Sequence, residues 1–223
     1  STRPWLGFYL GRAATEPRVL TVGATSGIMN IEDARTLNRQ FIFPSQGTDE
    51  DFYSMAVLAN VLNFDMKVVS GYNGNADTAL AVIKGDGDGH ITSWLASQAV
   101  IESGDEHPIL TLSQDRYAPY PHVPTALELV EGRSREAVQA IVNMLEMRRG
   151  FFGPPNLDST ATQELRSAIS AAFTDPELIA ESKRTGLPLL PSDGQTEQAK
   201  ISQITAASQT IIPILQAALE SVR

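Results

Sequence analysis

Apolar and polar positions are ordered differently in the two halves of this chain. Before Pro124, short β-branched or aromatic runs alternate with stretches whose apolar residues recur every three or four positions; after it, helical spacing continues almost alone. Residues 5–10 are aromatic and apolar, and Arg18-Val19-Leu20-Thr21-Val22 is β-branched and bounded by Pro17 and Gly23, so both read as strands. Asn30, followed by Glu32 and Asp33, supplies an N-cap and acids suited to the positive end of a helix dipole, which predicts a short helix to about residue 38. Residues 40–43 are strand-like. A turn at Pro44-Ser45-Gln46-Gly47 then leads into a helix with Phe52, Met55, Ala56, Ala59 and Leu62 on one face.

This strand-turn-helix unit recurs. Met66-Lys67-Val68-Val69-Ser70 is followed by a turn at residues 71–74 and by Ala76, Ala79, Leu80 and Ile83 at helical spacing. Residues 88–92 predict a further strand leading into a helix near Ser93, and Pro108-Ile109-Leu110-Thr111-Leu112 a buried one. Recurrence of this kind favours a mostly parallel sheet covered by helices, so the fold class is α/β. Beyond Pro124 the pattern predicts helices over residues 125–130, 134–148, 158–173, 176–185 and 195–223, with strands nearly absent. Asp175 before Pro176 caps one helix and Gly186 ends it, while Pro213 is expected to kink or split the last.

Composition narrows the function. The 223 residues can bury a sizeable core in one or two domains, and 42% hydrophobic with 19% charged residues is ordinary for a folded chain. The net charge of −9 repels polyphosphate, which argues against nucleic acid and anionic membrane surfaces as partners. With no cysteine there are no disulfides, thiol nucleophiles or Cys-zinc sites. No apolar run approaches the roughly 18 residues of a membrane helix, so the chain is not expected to be membrane-embedded.

Asp115-Arg116-Tyr117-Ala118-Pro119-Tyr120-Pro121-His122-Val123-Pro124-Thr125-Ala126-Leu127-Glu128 follows Ser70-Gly71-Tyr72-Asn73-Gly74 by about 40 residues. Together they resemble the extracytoplasmic solute-binding receptors of tripartite tricarboxylate transporters. Trp5-Leu6-Gly7, Gly27-Ile28, Gly85-Asp86-Gly87-Asp88-Gly89, Phe152-Gly153-Pro154-Pro155, Leu165-Arg166-Ser167-Ala168 and Thr174-Asp175-Pro176-Glu177 extend the likeness over essentially the whole chain. The resemblance implies a type II periplasmic-binding-protein-like lobe, a helical C-terminal return segment, a small organic acid as ligand, membrane transporter subunits as partners, and a periplasmic location. It also implies that most of the family's first lobe is absent here. On that basis residues 1–20 are a remnant and crossover strand of the first lobe, residues 21–115 a second α/β lobe, and residues 116–223 a largely helical return segment packing on the second lobe and the missing first one.

Candidate chemistry lies at the turns. Gly47 and Thr48 stand where a strand-to-helix turn presents free N–H groups suited to an anion, although Thr48 and Asp51 can equally cap the helix internally. Tyr72, Asn73 and Gly74 form a second turn at a strand's C-terminal edge, where open α/β sheets place ligands; a plain turn chosen for Gly and Asn freedom is the alternative. Ser93 and Trp94 follow a third strand, with the indole either covering a solute or buried in the core. Residues 85–89 lack the spacing of a calcium loop, and Asp86 and Asp88 read as solvated turn residues. Arg148-Arg149 reads as a helix C-terminal cap through the dipole. His90, His107 and His122 have no metal-binding spacing, and no nucleophile can be paired with a base. The expectation is a non-catalytic binding protein without metal or cofactor, the alternatives being a sensory or regulatory module or a carboxylate-processing enzyme.

Overall fold

The computed structural model of the protein describes residues 8–15 and 17–221. The strand expected at residues 5–10 is present as β1 (Phe8–Arg12), while the Trp5-Leu6-Gly7 match lies outside the described residues. By contact the chain falls into two units, one of residues 1–16 and 143–206 and the other of residues 17–142 and 207–223.

The larger unit carries the strand-turn-helix repeats. Its elements are β2 (Arg18–Gly23), α1 (Ile31–Arg35), β3 (Phe41–Ser45), α2 (Glu50–Leu62), β4 (Met66–Ser70), α3 (Asn75–Lys84), β5 (Gly89–Ser93), α4 (Trp94–Glu102) and β6 (Glu106–Leu112). β3 and β4 pair in parallel, from Phe41 opposite Met66 to Ser45 opposite Ser70. β2 pairs antiparallel with both β5 and β6, so those two strands share a direction and β2 is the reversed strand between them. β3 lies beside β5, and the Asp88 N–H donates to Ile42 O at 2.8 Å near the start of both. The C-terminal ends of β3, β4, β5 and β6 therefore meet along one edge, together with the N-terminal end of β2.

Apolar burial explains most of this order. Phe52, Met55, Ala56, Ala59 and Leu62 of α2 are all buried, as their spacing predicts. On α3 the buried face is Thr78, Ala81 and Val82, whereas Leu80 is 47% exposed, so the expected face of Ala76, Ala79, Leu80 and Ile83 needs correction. Both sets have helical spacing. The inward one is selected because Thr78 bonds to His90 and because Gly23, having no side chain, leaves room for Val82: a Cβ there would lie 2.9 Å from Val82 O and 3.2 Å from its Cγ1. Asp88 also departs from expectation. It is buried, receives Arg39 Nη1 and Nη2 at 2.5 and 2.7 Å, and accepts the Ile42 N–H at 2.7 Å, so it ties the entrance of β3 to that of β5.

In place of a helix over residues 125–130 there is a single 3₁₀ turn, Ala126–Glu128, followed by α5 (Gly132–Glu146). The smaller unit has strands where nearly none were expected: β7 (Gly150–Gly153) and β8 (Ser192–Asp193) flank β1 on its two edges, both antiparallel. α6 (Ser159–Phe173) and α7 (Pro176–Thr185) belong to this unit as well, and Asp158 and Asp175 cap them. Arg12, Glu197 and Lys200 form a mostly buried ion network, with Arg12 Nη1 at 3.1 Å and Lys200 Nζ at 3.2 Å from Glu197 Oε1. Burial first, and the Glu197 charge second, push the Tyr9 phenol up to about 12. α8 (Gly194–Ser221) continues through Pro213 without a break.

Candidate functional site

Three strand-to-helix turns converge on the C-terminal edge of the sheet. In the first, Gly47 has φ +143°, donates its N–H to Ser45 Oγ at 3.1 Å, and accepts the Ser45 hydroxyl at 2.7 Å. Thr48 is exposed beside it. The cap of α2 is neither Thr48 nor Asp51 but Asp49, whose carboxylate accepts the Phe52 N–H at 3.0 Å.

In the second turn the Tyr72 N–H donates to Ser45 O, and the Asn73 N–H donates to Asp77 Oδ2 at 3.1 Å. Gly74, at φ +150°, is the N-cap of α3 and supplies no side-chain acceptor. Gln46 Nε2 donates to Asn75 Oδ1 at 2.7 Å, so a side-chain bridge joins the first turn to the second. Ser45, Gln46, Asp49, Asp51, Asn75, Thr78 and His90 line a narrow cleft between them.

The third turn is capped: Ser93 Oγ accepts the Ala96 N–H at 3.2 Å. Trp94, expected either to cover a solute or to fill the core, is 4% exposed and does the second. Its indole N–H donates to Thr111 Oγ1 at 3.1 Å, and it packs with Val19 and Val123. An indole facing inward between β2 and β6 cannot also shield a ligand, and the rings at the surface there belong to Tyr117 and Tyr120.

Arg18 is the rim residue that the pattern of the chain did not single out. As the first residue of the reversed strand, it pairs in register with Ser93 and with Leu112, at the ends of β5 and β6. Its buried guanidinium donates to Glu50 and stands 3.6 Å from Asp51, in the first turn of α2. The one available signal was a charged head on an otherwise apolar strand. Its cation offsets acids that would otherwise face any anion entering here.

Behind the cleft, His90 is 2% exposed and its ring nitrogens meet Thr78 Oγ1 at 2.9 Å and Glu106 Oε2 at 3.0 Å. This buried relay holds α3 against β5 and β6. Among the described residues no group of His, Asp and Glu could hold a metal ion. A larger groove of about 840 Å³ opens at the opposite ends of β3 and β4, beside Arg35, Phe64, Met66 and Ile214. It meets helix C-termini rather than N-termini, so it lacks the backbone donors that suit an anion.

The loop after β6 is pinned by Arg116, which donates to both oxygens of Glu128 and to Pro121 O, while Glu128 closes a capping box with Thr125. The Arg116 bonds first, and the Thr125 N–H second, hold the Glu128 carboxyl at about 2, below its ordinary 4.5. A carboxyl lowered on folding stabilises the native state above its ordinary value, and that contribution is lost as pH falls towards 2. Glu128→Gln should therefore lower the thermal midpoint at pH 6, with the gap to the parent closing between pH 4.5 and 2. A gap that stays constant over this range in calorimetry would refute the assignment.

The description "Tripartite tricarboxylate transporter family receptor" belongs to the family model that matches residues 9–216. The chain is a member of that family. A TctC solute-binding protein from Polaromonas superposes with a TM-score of 0.70 at 14% identity, over 93% of this chain and 70% of that one. An R. palustris protein with adipate gives 0.62 at 15%, over 92% and 68%. MatC from Rhodopseudomonas palustris with bound malate gives 0.61 at 16%, over 92% and 69%. No curated protein sequence matches the chain. At these identities the structures establish the shared periplasmic-binding-protein-like α/β fold, and the family match establishes a solute-binding receptor. No helix among the described residues is long and apolar enough to cross a membrane.

Proposed function

We propose that this receptor captures a small organic acid outside the cytoplasm, in the periplasm, and delivers it to the membrane subunits of a tripartite tricarboxylate-type transporter. The observation that carries the reading is the N-terminus of α3. Of the three rim helices, α2 and α4 have their first N–H groups capped by Asp49 and Ser93, whereas Gly74 leaves α3 without a side-chain cap. Free donors at the positive end of a helix dipole are a seat for a carboxylate. Residues 21–115 are the ligand-bearing lobe in this reading. Gly47, Thr48, Tyr72, Asn73 and Gly74 surround the seat, Ser93 completes the rim, and Trp94 supports it from beneath. Thr78, His90 and Glu106 align a hydroxyl, an imidazole and a carboxylate, but all three are buried and the Thr78 hydroxyl donates to Asn75 O at 3.0 Å, which favours holding a solute over transforming it. The bound acids of the adipate and malate structures supply the ligand class.

Calorimetric titration of the protein with adipate, malate and other small acids tests this directly. A ligand at about 100 times its Kd should add about 2.7 kcal/mol of stability. Ala76→Asp supplies the contrast, because Ala76 is exposed in the first turn of α3. A carboxylate there complements the dipole, worth about 0.3–1 kcal/mol to the helix, yet repels the ligand. Stability held or raised, with acid affinity reduced at least about tenfold, is the expected result. Acid binding that Ala76→Asp leaves untouched would move the seat elsewhere, and no binding by any acid would end the proposal.

A further inference from the structure

The rim carries a second feature, made of rings rather than donors. The Tyr117 and Tyr120 ring centres lie 4.5 and 4.9 Å from that of Trp94, tilted 22° and 20° to it, and 6.4 Å from each other with only 10° between their planes. If the tyrosines sandwiched the indole, their centres would be separated by nearly the sum of the two stacking distances. At 6.4 Å they instead lie side by side on one face of Trp94, as a nearly coplanar pair. The indole below is buried and anchored to Thr111, while both tyrosines are partly exposed. Arg116, bonded to Glu128 and Pro121, fixes the loop that carries them.

This pair stands on the same edge as the acid seat. Its loop leaves β6 at Leu112, which pairs with Arg18, and the Arg18 side chain reaches the first turn of α2. Two flat, rigid π faces of this kind stack on a ring of matching flatness and gain little from a puckered or open chain. The uncapped backbone donors of this edge lie at α3, so a ligand that uses both features has a carboxylate at one end and a planar ring at the other. We infer that the Tyr117–Tyr120 pair is a stacking platform that selects ring-bearing, planar organic acids. This inference rests on the organic-acid reading above and narrows its ligand class.

Benzoate and cyclohexanecarboxylate, equal in charge and nearly equal in size, separate flatness from the rest of the chemistry. Both are titrated into the full chain, with the Trp94 indole N–H resonance, assigned with Trp94→Phe, as a local reporter. Benzoate should bind about two- to tenfold more tightly and shift that resonance through its ring current. Tyr117→Leu with Tyr120→Leu keeps apolar volume and removes the π faces, so the preference should fall to near unity while cyclohexanecarboxylate binding is retained. Unfolding midpoints verify that the double variant folds; if it does not, Tyr120→Leu alone is read, with a partial loss of preference expected. Equal binding of the two acids, or a preference that survives in the variants, overturns the platform and leaves the receptor reading intact. If neither acid binds while adipate or malate does, the platform also fails; if no acid binds, both readings fail together.

Discussion

Replacing Gly89 with alanine should cost about 3 kcal/mol or more, the upper end of what overpacking a core usually costs. A Cβ at this position would sit 2.2 Å from Thr21 O, 2.9 Å from Val22 Cγ1 and 3.0 Å from Phe41 Cζ. The first of these is a backbone oxygen in the paired strand β2, and it cannot rotate away as a side chain can. Relief requires β5 to separate from β2, which would also displace His90 behind the cleft and Ser93 at the rim. For a chain of this size the thermal midpoint should fall by about 6–12 °C. Gly47→Ala is the comparison: it meets nothing within 4 Å and suffers only from its φ of +143°, so its loss should be smaller, about 1–2 kcal/mol. Equal midpoints for Gly89→Ala and the parent would mean that β5 and β2 are not held at this spacing.

Removing the rim cation should have the next largest effect. Arg18→Ala leaves the buried Asp51 and the partly exposed Glu50 without their shared guanidinium. Breaking a buried pair by deleting one partner costs about 3–5 kcal/mol, and the exposure of Glu50 places the expectation near the lower limit. The same change removes a positive charge where an organic acid must enter, so acid affinity should fall by at least about tenfold, equivalent to 1.4 kcal/mol. Arg18→Lys restores the charge but not the planar fork, and should recover only part of both losses. Chemical denaturation and titration calorimetry on the same samples read the two effects, and higher salt should narrow the binding gap. Undiminished acid affinity in Arg18→Ala would remove the rim charge from the binding account.

Much of this receptor was legible because its local signals agree with its tertiary structure. The apolar face of α2, the Asn30 cap of α1, and the Asp175-Pro176 start and Gly186 end of α7 depend on neighbours within one or two helical turns. Local signals failed where a distant partner decided the outcome. α3 has two faces of acceptable spacing, and His90 and Gly23 select between them. β7 and β8 form because β1, about 140 to 180 residues earlier, offers two free edges. Asp88 reads as a loop acid until Arg39 and the Ile42 amide close on it.

The site divides along the same line. Turn composition, together with the family resemblance that runs through Tyr72-Asn73-Gly74, marked Gly47, Thr48, Tyr72, Asn73, Gly74 and Ser93 as positions where the backbone is available, because glycine, asparagine and serine act through their own φ, ψ and hydrogen bonds. Which donors are already occupied is a property of space: Asp49 rather than Thr48 caps α2, Ser93 spends its hydroxyl on α4, and α3 is left open. Trp94 shows the same limit, since an indole beside a strand end is apolar enough for the core and polar enough for a rim. Only the positions of Thr111, Tyr117 and Tyr120 decide between them. By itself the sequence determined the α/β class, the order of the strand-turn-helix units and the family. Tertiary structure decided the reversed strand β2, the partners of Arg18 and the tyrosine pair, because burial and charge pairing at these positions involve residues tens of positions apart.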